Sequence, residues 1–164
     1  MNYFIDCGAN LGQGLLEFNA FLKMFNNPEW VIHSFECNPD IELKFEEVSN
    51  FNFYQKAIWV EDSSISFLLA TRDNEYTAPL GLGQDSKPGE LTRLGNHVGA
   101  EEIQNQAVRE KLAKTVDVPA IDFARYIREL KENDPESKVF VKMDIEGAEY
   151  QVLRHLLKES VTQM

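Results

Sequence analysis

Apolar residues recur along this chain in two rhythms, and the alternation between them lays out its elements. The segment Tyr3–Gly14, YFIDCGANLGQG, begins as a short apolar strand, reaches an acid at Asp6 and runs through a glycine-punctuated turn into a helix. Leu11, Leu15, Phe18, Leu22 and Phe25 then fall three or four residues apart, the spacing of one helical face, as far as Asn26, Asn27 and Pro28. Trp30–Phe35 reads as a second buried strand. Beyond it Asn38 is placed to cap a helix with Pro39 at its first position, and Ile41, Phe45 and Val48 give that helix its inward face. A third strand fits Phe51–Val60, while Ile65, Phe67 and Leu69 alternate with polar neighbours as a fourth, half-exposed one. Val116–Val118 predicts a short strand, and Asp122 a helix cap followed by Phe123, Ile127 and Leu130 facing inward. Val139–Met143 predicts a last strand that stops at Asp144, and Val152, Leu153, Leu156 and Leu157 the stripe of a closing helix. Strands and helices that alternate in this way predict an α/β fold, a mostly parallel sheet with helices on both faces.

Thr71–Thr115 has a different texture. Gly81, Gly83, Gly89, Gly95, Gly99, two prolines and scattered charge break it up, and it is too polar for core. Ile103, Ala107, Val108 and Leu112 predict a thin helical stripe over Glu101–Lys114. The whole reads either as a lid over a substrate or as a surface insertion without a ligand role. Residues 1–164 otherwise form one domain, a length that buries a proper core.

Charge narrows the partners. With 16 basic residues against 27 acidic ones the net charge is -11, and no window interleaves Lys and Arg with aromatics as a groove tracking phosphates requires. Nucleic acid and anionic membranes are therefore excluded as expected partners, and no apolar run approaches membrane-spanning length. Cys7 and Cys37 have no paired metal-ligand spacing, which argues against a disulfide framework and a zinc site and for a reducing, cytoplasmic setting. The first strand starts at once after Met1 and Asn2, which predicts no signal peptide.

The chemistry gathers where predicted strands end. Gly8 and Gly12 allow backbone geometry that a side chain blocks, and Asp6 stands at the strand's carboxyl end, where open α/β sheets bind ligands. A dinucleotide fingerprint read forward from Gly12 and Gly14 finds Glu17 in place of its third glycine, which disfavours a nicotinamide-dependent oxidoreductase. Glu36 closes the second strand, where a carboxylate accepts from two neighbouring hydroxyls at once; the plainer alternative is a solvated acid. Asp144, Glu146 and Glu149 cluster after the last strand, with Glu149 also suited to the helix dipole. Lys142 shares a strand face with Phe140 and Asp144, and must find an acidic partner or lose its charge to become a base. Of three histidines, His33 falls in a strand, His155 lies off the stripe of the final helix, and His97 sits in the glycine-rich stretch as a candidate base.

Five separated blocks, FIDCGANLG, FECNPD, KAIW, VPAIDFARYI and VFVKMDIEGAEYQVLRHL, stand in an order that resembles the FkbM-family methyltransferases. The resemblance spans almost the whole chain apart from 71–115. It implies a Rossmann-like class I fold, S-adenosylmethionine as cofactor, and methylation of a hydroxyl on a small-molecule, sugar or other glycan-type acceptor. Residue by residue, it puts Gly8, Ala9, Asn10 and Gly12 against the methionine part of the cofactor, and Asp6 toward its amino-acid end directly or through a water. It puts Glu36 on the ribose hydroxyls, and Cys37 with Lys56, Ala57 and Ile58 beside the adenine. Asp144 falls next to the methyl donor, and Asp144 or Glu146 is the base, with Lys142 the third catalytic candidate. No metal is assigned.

Class I methyltransferases usually add three further strands after this last helix, whereas here only Ser160–Met164 follow. The Val139–Met143 strand is then expected at an open edge, covered by a second copy of the chain or by a further C-terminal segment. A domain that binds cofactor or a partner without turnover is the alternative function.

Overall fold

The computed structural model describes residues 1–70, 113–145 and 147–161. Its main sheet joins β1 (Asn2–Cys7), β2 (Trp30–Phe35), β3 (Phe51–Tyr54) and β7 (Lys138–Met143), all parallel, in the order β3-β2-β1-β7. β1 and β2, covered on both faces, are buried at nearly every position rather than at alternate ones, polar Asp6, His33 and Ser34 included. A smaller sheet holds β4 (Ala57–Trp59), β5 (Ser63–Ala70) and β6 (Ala113–Asp122) in the order β4-β6-β5, with β4 parallel and β5 antiparallel to β6. Pro119 is tolerated in β6 because pairing to β4 starts only at Ala120, so that Pro119 has one strand neighbour.

Three helices complete the described fold: α1 (Gln13–Leu22), α2 (Phe123–Asn133) and α3 (Glu149–Lys158). On one face of the main sheet Leu15 of α1 packs with Phe4, Met24, Trp30 and Ile32. On the other, Phe123, Ala124 and Ile127 of α2 and Val152 and Leu156 of α3 close over Ile5, Cys7 and Phe35. The chain is thus a mixed α/β protein with a mostly parallel sheet and helices on both faces.

Several expectations change. The helix predicted from Asn38 does not form: residues 37–50 are turns and irregular chain. Asn38 caps only a single turn, its side chain accepting from Asp40 N, and burial falls on Ile41 and Leu43, two apart, where a helix needs three or four. The single strand Phe51–Val60 is two strands in two sheets, broken at Gln55 and Lys56. α1 stops at Leu22 because Asn19 turns its side chain to Met24 N and Phe25 N and Lys23 takes left-handed backbone. Leu11 and Phe18, expected inside, are exposed, as are Leu153 and Leu157 of α3. The strand at Val116–Val118 is the middle of the ten-residue β6, which also takes in Ala113 and Lys114, the end of the helix expected over Glu101–Lys114. The rest of that helix, and the lid or insertion from Thr71 to Leu112, lie outside the described residues. β7 has β1 as its one neighbour among the described strands, and Phe140 and Val141 are exposed there. No described helix is long and apolar enough to cross a membrane.

Candidate active site

Because β1, β2 and β7 run parallel and in register, their carboxyl ends bring Asp6, Glu36 and Asp144 to the same end of the sheet. The turn after β1 is bound to β2 by its backbone: Gly8 N and Ala9 N both donate to Phe35 O, at 2.9 and 3.0 Å. Gly8, Asn10 and Gly12 all have left-handed backbone, at φ 77°, 47° and 81°. Glycine at position 8 is a steric necessity, since a Cβ there would stand 1.9 Å from the Asp144 carbonyl oxygen. That carbonyl is fixed in turn, because Asp144 N donates to Cys7 O at 3.0 Å. At Gly12 a Cβ would meet Leu43 Cδ1 at 3.0 Å and Phe45 Cζ at 3.1 Å, so the irregular segment after β2 lies against the turn.

Glu36 is a clamp. Its side chain is buried; Oε2 accepts from Asn10 N and Oε1 from Asn38 N, both at 2.8 Å, joining the glycine turn to the segment after β2. Burial pushes its pKa up, opposed by the bonds from Asn38, Asn10 and Cys37. Gln55 holds the segment after β2, donating to Glu36 O at 3.1 Å and Asn38 O at 2.7 Å. Those two bonds explain the break between β3 and β4. Cys37 packs beside Ala57, and burial with the adjacent Glu36 charge pushes its thiol up to about 12. Ile58 turns instead into the main core.

Asp6 and Lys142 form the second element of the site. Register puts Asp6 between Ser34 and Lys142 on one sheet face. Asp6 is fully buried, and Lys142 Nζ stands 3.1 Å from its Oδ1. The ammonium donates to Gly8 O at 2.8 Å, while neither Asp6 oxygen accepts a well-formed hydrogen bond from the described chain. Burial raises the Asp6 pKa, opposed by the Lys142 charge. Ser34 Oγ and Asn10 Oδ1 are also buried with no partner among the described residues. Lys142 therefore sits at ion-pair distance from Asp6.

Asp144 is the exposed acid, its side chain 68% accessible with Oδ2 3.9 Å from Lys142 Nζ. Glu149 points back into the loop before its own helix, Oε1 accepting from Ile145 N and Oε2 from Gly147 N, both at 2.7 Å. It shapes that loop, a task beyond the helix-dipole contribution expected of it. Glu146 and His97 lie outside the described residues. His155 Nε2 contacts Asp122 Oδ1 at 2.9 Å at the start of α2, and His33 is buried against Tyr126, its Nδ1 2.6 Å from the hydroxyl. Among the described residues no three His, Cys, Asp or Glu gather as a metal site. Sequence reasoning missed Ser34 and Gln55. Pairing of β1 with β2 would have found the first, but Gln55 carries no local signal.

A family model described as the methyltransferase FkbM domain matches residues 6–163. The chain belongs to the FkbM methyltransferase family. No curated protein and no solved structure matches it. The match to the FkbM domain opens at Asp6 and includes every strand-end acid described above. It makes this arrangement the candidate active site of a methyltransferase.

Proposed function

We propose that the chain is an S-adenosylmethionine-dependent O-methyltransferase acting on a hydroxyl of a small or sugar-like acceptor, built on the Rossmann-like class I plan. The observation that carries this reading is the pairing of two buried acids, Asp6 and Glu36, at adjacent strand ends around a left-handed glycine turn. Glu36, with Asn10 Oδ1 and Ser34 Oγ, which have no partner among the described residues, suits a ligand that has an amino-acid end and a sugar diol, while Asp6 backs the turn from beneath. A carboxylate has about four lone-pair positions, and Asn10, Asn38 and Cys37 already use most of those of Glu36, so a diol reaches it by sharing or displacing one of these donors. Cys37 and Ala57 offer apolar contact for a base beside it.

When bound, the cofactor supplies an electrophilic methyl group on a sulfonium. The chain holds the donor, aligns the acceptor oxygen with the methyl carbon and sulfur, and removes the hydroxyl proton as the new bond forms. Asp144, exposed at the mouth of β7, is the described residue suited to take that proton. Lys142 is not assigned as the base, because its ammonium is held by Gly8 O and Asp6.

Calorimetry with S-adenosylhomocysteine, together with transfer of a labelled methyl group to a panel of hydroxylated acceptors, tests this. Micromolar binding and turnover support it, and absence of binding removes it. A second reading, cofactor binding without turnover, draws on the closure of Glu36 by its own backbone contacts. Binding with no transfer to any acceptor favours that alternative.

A further inference from the structure

Asp6 occupies the position from which a strand-end acid reaches a ligand, yet both of its oxygens are sealed from solvent. The member of the pair that meets the outside is Lys142, with 17% of its side chain accessible. Its stem lies against the first turn of α1, where a Cβ on Gly14 would stand 3.2 Å from Lys142 Cε. Its tip crosses from β7 to the turn after β1 and takes the Gly8 carbonyl. The turn is therefore held from two sides, by Phe35 O and the Glu36 carboxylate from β2 and by Lys142 from β7. The Gly8 amide and carbonyl are fixed by different strands, which sets the plane of the turn as well as its position.

We propose that Lys142 is a positioning residue for the cofactor site: it orients the glycine turn through the Gly8 carbonyl, and Asp6 acts through Lys142 as its buried counter-ion instead of touching the ligand. The proposal rests on the cofactor reading above. Its physical basis is that a lone ammonium in this half-buried place needs a compensating charge, and Asp6 provides one at ion-pair distance. A buried carboxylate at the end of β1 that accepts no well-formed hydrogen bond from the described residues is otherwise a costly feature. Ser34, the neighbour of Asp6 on β2, is uncharged and cannot replace Lys142; Asp144 repels Asp6; Glu17 of α1 is exposed.

The test is a double-mutant cycle on the full chain. Asp6→Asn and Lys142→Met are each expected to weaken S-adenosylhomocysteine binding by tenfold or more, and the double variant to bind no worse than the weaker single one. Lys142→Arg, which restores charge and donors, is expected to recover most of the loss. Additive losses would mean that Asp6 contacts the ligand independently, and would overturn the proposal; so would wild-type affinity in Lys142→Met. Amide hydrogen exchange without ligand supplies a second readout. Lys142→Met is expected to lose protection at Gly8–Gly12 while β2 keeps its own, and unchanged protection there also overturns the proposal. If the wild-type chain does not bind S-adenosylhomocysteine, the cofactor reading fails, and exchange still decides whether Lys142 orients the turn.

Discussion

At the scale of single residues, two positions in the site are fixed by different physics. Gly8 is dictated by space and conformation: φ is 77°, and any Cβ would run into the Asp144 carbonyl. That oxygen belongs to a backbone already bonded to Cys7 O through its own amide, so it cannot withdraw without opening the β1–β7 junction. Gly8→Ala is accordingly expected to cost about 3 kcal/mol or more in urea unfolding, a size reserved for strain or core disruption. A loss under about 1 kcal/mol would show that the junction yields easily. Glu36 is dictated by charge and hydrogen bonding. Glu36→Gln keeps one acceptor oxygen but turns an amide donor toward Asn10 N or Asn38 N, which costs about 1–3 kcal/mol of stability. If the same carboxylate also receives a ribose diol, calorimetry on this variant will show S-adenosylhomocysteine affinity reduced at least tenfold. Unchanged affinity would remove Glu36 from the cofactor contacts and leave it as a structural clamp.

At the scale of elements, legibility followed how local the deciding interaction was. β2 coincides with the expected Trp30–Phe35 because a short segment rich in aromatic and β-branched residues, bounded by turn residues on both sides, reads as a strand. The start of α2 was equally readable, since a cap acts over three residues: Asp122 accepts from Arg125 N at 3.1 Å. Asp122→Ala is expected to cost about 1–2 kcal/mol, while Asp122→Asn, which can still cap, loses much less. Equal losses in thermal melts of the two would transfer the role of Asp122 to its contact with His155. The segment after β2 was misread for the opposite reason. Asn38, Pro39 and three spaced apolar residues are a sound helix signal, but the Asn38 amide is taken by Glu36 and its carbonyl by Gln55. These contacts tie the chain to the glycine turn, and Ile41 and Leu43 are buried instead. In the site, strand-end acids were visible from position alone. Which of them face solvent was not, because that depends on cross-strand neighbours: Asp6 lies under Lys142, and Glu149 curls back onto Ile145 N and Gly147 N.

At the scale of the whole molecule, three strands of the main sheet and α2 share an aromatic cluster centred on His33. Its ring lies 5.5 Å from Tyr54 of β3, 5.7 Å from Tyr3 of β1 and 5.9 Å from Tyr126 of α2. Burial lowers the His33 pKa from 6.5 to about 4. In the unfolded chain this imidazole takes a proton near pH 6.5, while the folded protein refuses it until about pH 4. Between those values the unfolded state binds more protons, so stability falls as pH falls, by about 3 kcal/mol over the whole window. Above pH 6.5 the contribution is flat, and below about 4 it is exhausted. Buried Asp6 and Glu36 act with the opposite sign, since their raised pKa values make protonation favour the folded state as pH drops. The net curve therefore mixes opposing terms, and His33→Gln separates them by removing the imidazole alone. In urea unfolding at pH 7 and pH 4.5, wild type is expected to lose over 2 kcal/mol more than the glutamine variant on acidification. Because β1, β2, β3 and α2 all contact the ring, that difference should appear in the global unfolding transition and not in a local one. Equal acid losses in the two proteins would mean that the ring accepts its proton in the folded state, and that the cluster opens without unfolding the sheet.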